Sequence, residues 1–266
     1  NKRVLKLRID NGEIINLNGI TVQNGKESQG AGIYFTGGKL HVSNSRIVSN
    51  KASGDINGAG IYFQGSGSII KTDFIENSAR KGGALYMNCP NDSVVLIQGC
   101  KFIKDSASES GSIILNMGDG IVTMKNNLVT GSFNNLFWIQ NQNSILKLIN
   151  CTVADNNCNS NSPILLWYGK CDIANSIFFN NGISSVIDTT TFANWRKNYS
   201  SYRVFLKLRN SLFDKGNYKD SGVIIGDPKF KKSNRNPIIV EDYKLSDISP
   251  TLGRGLLIHS IGFDIL

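Results

Sequence analysis

The feature that most constrains this chain is an internal repeat of about 26 residues. One class of segment joins a short apolar stretch to a closing Asn or Asp: Ile20–Asn24, Arg46–Asn50, Phe74–Asn77, Lys101–Asp105, Thr152–Asn156 and Ile177–Asn181. The closing positions keep one period, and Leu128–Gly131 fills the single gap with Gly131 in the Asn place. A second segment precedes each of these, as in Leu40–Ser45, Leu146–Cys151, Cys171–Ser176 and Leu206–Ser211. A third follows after a polar loop, as in Ala31–Phe35, Ala59–Phe63 and Gly83–Met87, with diverged later copies at 112–115, 136–139 and 165–168. Self-similarity at a fixed period outranks local propensity in deciding a fold.

Each segment alternates apolar and polar residues, is rich in β-branched or aromatic side chains, and is bounded by Gly, Asn or Ser, which is the pattern of a short strand. Helix signals are nearly absent. Three short strands cannot bury their apolar faces alone, but like units stacked on like units can. The sequence therefore predicts an all-β right-handed parallel β-helix, a three-sheet solenoid of about eight coils over residues 1–225. Residues 226–266 are expected to close the same domain by capping the open end of its core. A β-propeller fits less well, because a blade needs four strands and about 40 residues. The 32 Asn and 27 Gly of the chain suit coil corners: both tolerate left-handed backbone, and stacked amides can bond from coil to coil. The repeat is already running at Asn1, so an upstream coil or cap, or one lent by another chain, is expected.

Charge narrows the partners without naming one. The formal charge is +9 and the pI about 9.3, which favours an acidic partner such as an anionic glycan or cell surface. The basic residues are scattered and no nucleic-acid-binding signature accompanies them, so nucleic acid is not expected. No apolar run is long enough for a transmembrane helix. Cys89, Cys100, Cys151, Cys158 and Cys171 form no C-x-x-C pair and lie far from His41 and His259 in sequence. Neither a metal site nor a disulfide scaffold is expected, and the cysteines read as small buried hydrophobes. No phosphate-binding loop or nucleophile elbow is present, so no cofactor is expected.

The segments Gly30–Tyr34, Gly58–Tyr62 and Phe74–Asn77 through Gly82–Leu85 resemble the GG[A/I] and FxxN repeats of polymorphic outer-membrane and adhesin-like β-helix proteins. Gly226–Phe230, Asp242–Leu245, Ser249-Pro250 and Ile261–Phe263 resemble the closing segment of secreted bacterial β-helix proteins of the choice-of-anchor Q type, common in Bacteroidota. Thr251-Leu252-Gly253 departs from the usual Ala-Ile-Asp of that segment. The resemblance implies a secreted or outer-membrane-associated protein at the cell surface, binding a glycan or another surface component. An accessory role beside an outer-membrane protein is an alternative.

Three sets of residues could carry that function. Tyr34, Tyr62, Tyr86, Trp138 and Trp167 fall at one place in successive third strands, where an exposed ring ladder would stack sugars; the competing reading is a packing ladder. Between Asn175 and Asn210 the period stretches, and the added residues carry Trp195, Arg196, Lys197, Tyr199, Tyr202 and Arg203, a mixture suited to an anionic glycan. Its competing reading is a loop that buries its own aromatics. Finally, stacking could place Glu76 and Asp105 one coil apart, a weak acid/base or calcium candidate. An enzyme is the less favoured reading, and if the chain is one, the expectation is a calcium-assisted lyase of anionic polysaccharides.

Overall fold

Alternation sends one residue of every pair inward, and the strands stack as the repeat requires. The computed structural model describes residues 2–55, 58–158, 162–182, 187–188, 204–216, 218, 222–231 and 243–251. Among these, the strands form parallel sheets of 14, 9 and 4 members, and the chain is a β-solenoid. In the nine-stranded sheet the inward column runs Val22, Ile47, Phe74, Phe102, Val129, Val153 and Phe178. Those residue numbers step by 24 to 28 and mark six regular turns. Six is fewer than the eight coils expected. Beyond Phe178 the period fails, since Phe213 pairs with Ile225 only 12 residues later, too short a path to circle the core.

The three sheets are not one sheet per repeated segment. Strands Ile33–Ser43 and Ile61–Ile70 run the third segment of one coil into the second segment of the next, so both segments lie in the large sheet. In later turns the halves separate, as in Leu85–Met87 and Val94–Gln98. The small sheet is built instead from Lys26–Glu27, Lys51–Ala52, Ser78–Lys81 and Ser106–Ser110, which read in sequence as polar loop. Its inward residues Ala52, Ala79 and Ala107 are too small to produce an apolar signal.

The core is one continuous column. Phe74 stacks on Phe102 at 4.9 Å and Phe178 on Phe213 at 5.5 Å. Ile33, Ile61, Leu85, Ile114, Phe137 and Ile164 face them from the large sheet, all without solvent contact. Each such side chain removed from water contributes about 1.5–3 kcal/mol.

Corners are left-handed columns. Gly19, Asn44, Lys71, Gly99, Asn126, Asn150, Asn175 and Asn210 share φ of 43–68° where the large sheet turns into the nine-stranded one. Asn24, Ser49, Glu76, Lys104, Gly131, Asp155 and Asn180 share φ of 52–66° at the next corner. Asn is favoured at such positions and Gly is free there. At the third corner Gly58 (φ 75°) serves a second purpose, since a Cβ there would lie 2.7 Å from the Ile61 carbonyl oxygen; in a later turn Asn134 (φ 71°) holds the same corner. The Gly-Ala-Gly-Ile motif thus encodes a corner.

One residue past the second corner runs a buried column of Gly25, Asn50, Asn77, Asp105, Ser132, Asn156 and Asn181. The backbone N–H of Asn50 donates to Asn77 Oδ1 at 3.2 Å, and its Nδ2 donates to the same oxygen at 2.9 Å. Asn156 repeats both bonds to Asn181, at 3.3 and 2.8 Å. The gap in the Asn series is filled by Ser132, whose N–H donates to Asn156 Oδ1 at 2.9 Å. Gly131 holds the left-handed position before it, one residue ahead of the place its repeat suggests.

The described part of the closing segment lies along the outer face of the nine-stranded sheet. Phe230 meets Phe179 and Tyr243 edge-on, with ring centroids 6.1 and 5.3 Å apart, and Tyr243 is buried against Leu128 and Ala154. The Tyr243 hydroxyl lies 2.7 Å from Thr130 Oγ1 and donates to Asp155 Oδ2 at 3.0 Å. This side strap is a contact that the expectation of an end cap did not include; 252–266 lie outside the described residues.

Two substitutions test these contacts by chemical denaturation. Phe102→Ala should cost about 3–5 kcal/mol, because its neighbours above and below cannot collapse into the space. Tyr243→Phe should cost roughly 1–3 kcal/mol by leaving buried groups unbonded; an unchanged midpoint would show that the strap does not hold.

Candidate functional site

The second corner and the small sheet together build a charged concavity on the described surface. Parallel pairing sets Lys26 beside Lys51, Lys51 beside Ser78, and Ser78 beside Ser106 in successive turns. The left-handed residues Asn24, Ser49, Glu76 and Lys104 form the adjoining rim, because that backbone turns their side chains away from the core. Between the two rows lies an open groove of about 470 Å³ lined by Asn24, Lys26, Ser49, Lys51, Glu76, Lys104 and Ser106. Three ammonium groups face one carboxylate there, and Lys26, Lys51 and Lys104 are all exposed. Turns of a parallel stack repeat at about 4.8 Å, so the groove offers a periodic row of donors along the axis.

Sequence reasoning missed all three lysines. The available signal was phase: Lys26 and Lys51 each stand two residues after the left-handed corner residue, and Lys104 occupies that corner in its own turn. Scattered in sequence, they are gathered only by stacking.

The acidic candidates lie on successive turns but out of register and facing opposite ways. Glu76 shares its column with Lys104, whereas Asp105 shares its column with Asn77, so the residues expected to pair differ by one position. Since neighbouring residues alternate in direction, Glu76 is exposed on the groove and Asp105 is fully buried. The expected pair of stacked carboxylates is therefore corrected. Burial pushes the Asp105 carboxyl up to about 8, against the pull of two hydrogen bonds from Asn77, while the charge of Glu76 adds to the rise. Among the described residues, no three His, Cys, Asp or Glu side chains are grouped to hold a metal ion.

The aromatic ladder exists but is covered. Tyr34, Tyr62 and Tyr86 are register partners on the outer face of the large sheet, with rings stacked at 4.9 and 5.2 Å. Tyr62 and Tyr86 are only 8% and 7% exposed and Trp138 3%, so their faces are spent on one another, not on solvent. The expectation of exposed rings is corrected for these three, while Tyr34 and Trp167 are half-buried. Trp167 also leaves the column: the partner of Trp138 is Leu165, and the Trp167 ring meets Trp138 edge-on at 5.0 Å. Arg3 caps the ladder with its guanidinium 4.8 Å from the Tyr34 ring centre, and Lys81 lies 5.6 Å from that of Trp138. Burial drives the Tyr86 phenol up to about 12, with Tyr62 adding to the shift, so it stays neutral. His41 lies on the same outer face, its Nδ1 2.7 Å from Ser68 Oγ.

Trp195, Arg196, Lys197, Tyr199, Tyr202 and Arg203 lie outside the described residues. All five cysteines are buried free thiols. Desolvation pushes Cys89, Cys100, Cys158 and Cys171 up to about 12 and Cys151 to about 11. A thiol so shifted has almost no thiolate at pH 8, and thiolate is the reactive form. The folded chain should therefore resist maleimide at pH 8 and take up five labels once unfolded, as mass spectrometry would count. Rapid labelling without unfolding would contradict this burial.

Comparison of the chain with protein-family models, with curated proteins and with solved structures found no match.

Proposed function

We propose that this chain is a secreted or cell-surface bacterial β-helix protein, adhesin-like, that binds an extended anionic glycan along the lysine groove. The observation that carries this reading is the groove that gathers Lys26 and Lys51, paired in successive turns of the small sheet, with Lys104 on the facing rim. A flexible polymer loses entropy on binding, and a preformed periodic partner limits further losses on the protein side. Serines and Asn24 supply hydroxyl and amide groups of the kind that hydrogen-bond sugars. The surface setting, with its Bacteroidota-like origin, comes from the resemblance of the repeats and closing segment. The burial of the aromatic ladder favours charge and hydrogen bonding over ring stacking as the mode of recognition.

A glycan array should show binding to carboxylated or sulfated polysaccharides over neutral ones, weakening as salt rises. Each exposed ion pair is worth about 0.2–1 kcal/mol. Replacing Lys26, Lys51 and Lys104 together by Gln should thus lower affinity roughly threefold to a hundredfold, read by calorimetry at low salt. Equal binding of the triple variant would move the site elsewhere. Unsaturated sugar products from an anionic polysaccharide would replace the binding role with a lyase.

A further inference from the structure

The buried column of amides contains one carboxyl, that of Asp105. In each Asn of this ladder, Oδ1 accepts from the turn before, while Nδ2 donates back to a carbonyl of that turn. Asn50 Nδ2 donates to Val22 O at 3.1 Å, Asn77 to Ile47 O at 2.8 Å, Asn156 to Val129 O at 3.0 Å and Asn181 to Val153 O at 2.7 Å. Asp105 takes its place in this series, and its Oδ1 accepts from the N–H and Nδ2 of Asn77 at 2.9 and 2.8 Å. Its Oδ2 therefore stands where the others carry an NH₂. That oxygen is buried and has no hydrogen-bond partner among the described residues. Val22, Ile47 and Phe74 are successive register partners, so the carbonyl equivalent to those used by Asn50 and Asn77 is that of Phe74. Two bare oxygens facing each other would repel, whereas a hydroxyl facing a carbonyl bonds.

We infer that Asp105 is an uncharged carboxylic acid standing in for an amide, its protonated Oδ2 donating to the Phe74 carbonyl, and that its ionisation loosens the wall beneath the lysine groove. The groups around it suit a neutral acid. Glu76 on the preceding turn opposes a second negative charge. Lys104, its neighbour in the chain, is exposed. The following turn presents Gly131 and Ser132, and the small sheet presents Ser78, Ser106 and Ala107, none of them a counterion. Inward lies the column of Phe74, Phe102 and Val129. Desolvation raises the acid to about 8, from an unfolded value of about 3.9.

The sign follows from proton counting. Between those two values the folded chain holds a proton that the unfolded chain releases, so stability falls as pH rises through the window and levels off above it. The folded-to-unfolded ratio should drop about tenfold per pH unit within the window for this one proton. Outside the window the residue contributes no slope.

The test compares the full chain with Asp105→Asn by denaturant unfolding at pH values from 5 to 9. Other titrating groups cancel in the difference between the two proteins. The Asn variant restores an NH₂ to the ladder. It should gain on the parent by about tenfold per unit as pH rises towards 8, and then hold a constant lead. A difference that does not change with pH overturns the inference. If the variant does not fold, the ¹³C shift of the Asp105 carboxyl in the folded parent decides. A midpoint well above the ordinary carboxylate range supports a neutral acid, and an ordinary one overturns it. None of this depends on what the groove binds.

Discussion

Turn-to-turn hydrogen bonding at the second corner is the constraint on which the rest of the structure depends. Parallel strands bond to the turns above and below, and a sharp corner would leave both backbone and side-chain polar groups unpaired in the interior. The Asn50–Asn77 and Asn156–Asn181 steps solve this with a backbone donor and a side-chain donor on the same amide oxygen. Left-handed φ at the residue before each amide turns the chain into that geometry. Once the corners are fixed to the same register, the inward columns of Phe, Ile and Val follow without further instruction, because one-residue slips would face them to solvent.

The same constraint shapes the surface. A left-handed residue sits on the rim and its successor in the wall, so adjacent residues meet opposite environments. Glu76 and Asn77, or Lys104 and Asp105, differ by one position, yet the first of each pair is exposed and the second buried. The lysine groove and the buried acid are therefore two sides of one corner. The charge of Glu76 on the groove side opposes ionisation of Asp105 in the wall.

Much of this was legible in the sequence. The 26-residue period, the strand alternation and the Asn and Gly corners specify a stacked β-solenoid, since each is a local rule repeated. What was not legible was relative placement at the scale of one residue. Gly131 was read in the place that Ser132 holds, Glu76 was aligned with Asp105, and Trp167 was aligned with Trp138; register pairing corrects all three. The small sheet was also hidden, because its inward alanines give no hydrophobic alternation.

The sequence by itself determined the architecture: a periodic chain of short amphipathic strands has no way to bury its apolar residues except by stacking on itself. Tertiary structure alone decided which residues share a surface. Lys26, Lys51 and Lys104 are separated by tens of residues and come to line one groove only by stacking of turns. The Tyr34–Tyr62–Tyr86 rings, each alike in sequence to an exposed aromatic, become a covered stack for the same reason. Repetition fixes the fold because every turn obeys one rule, but exposure and charge depend on what lies one turn away, which no single repeat contains.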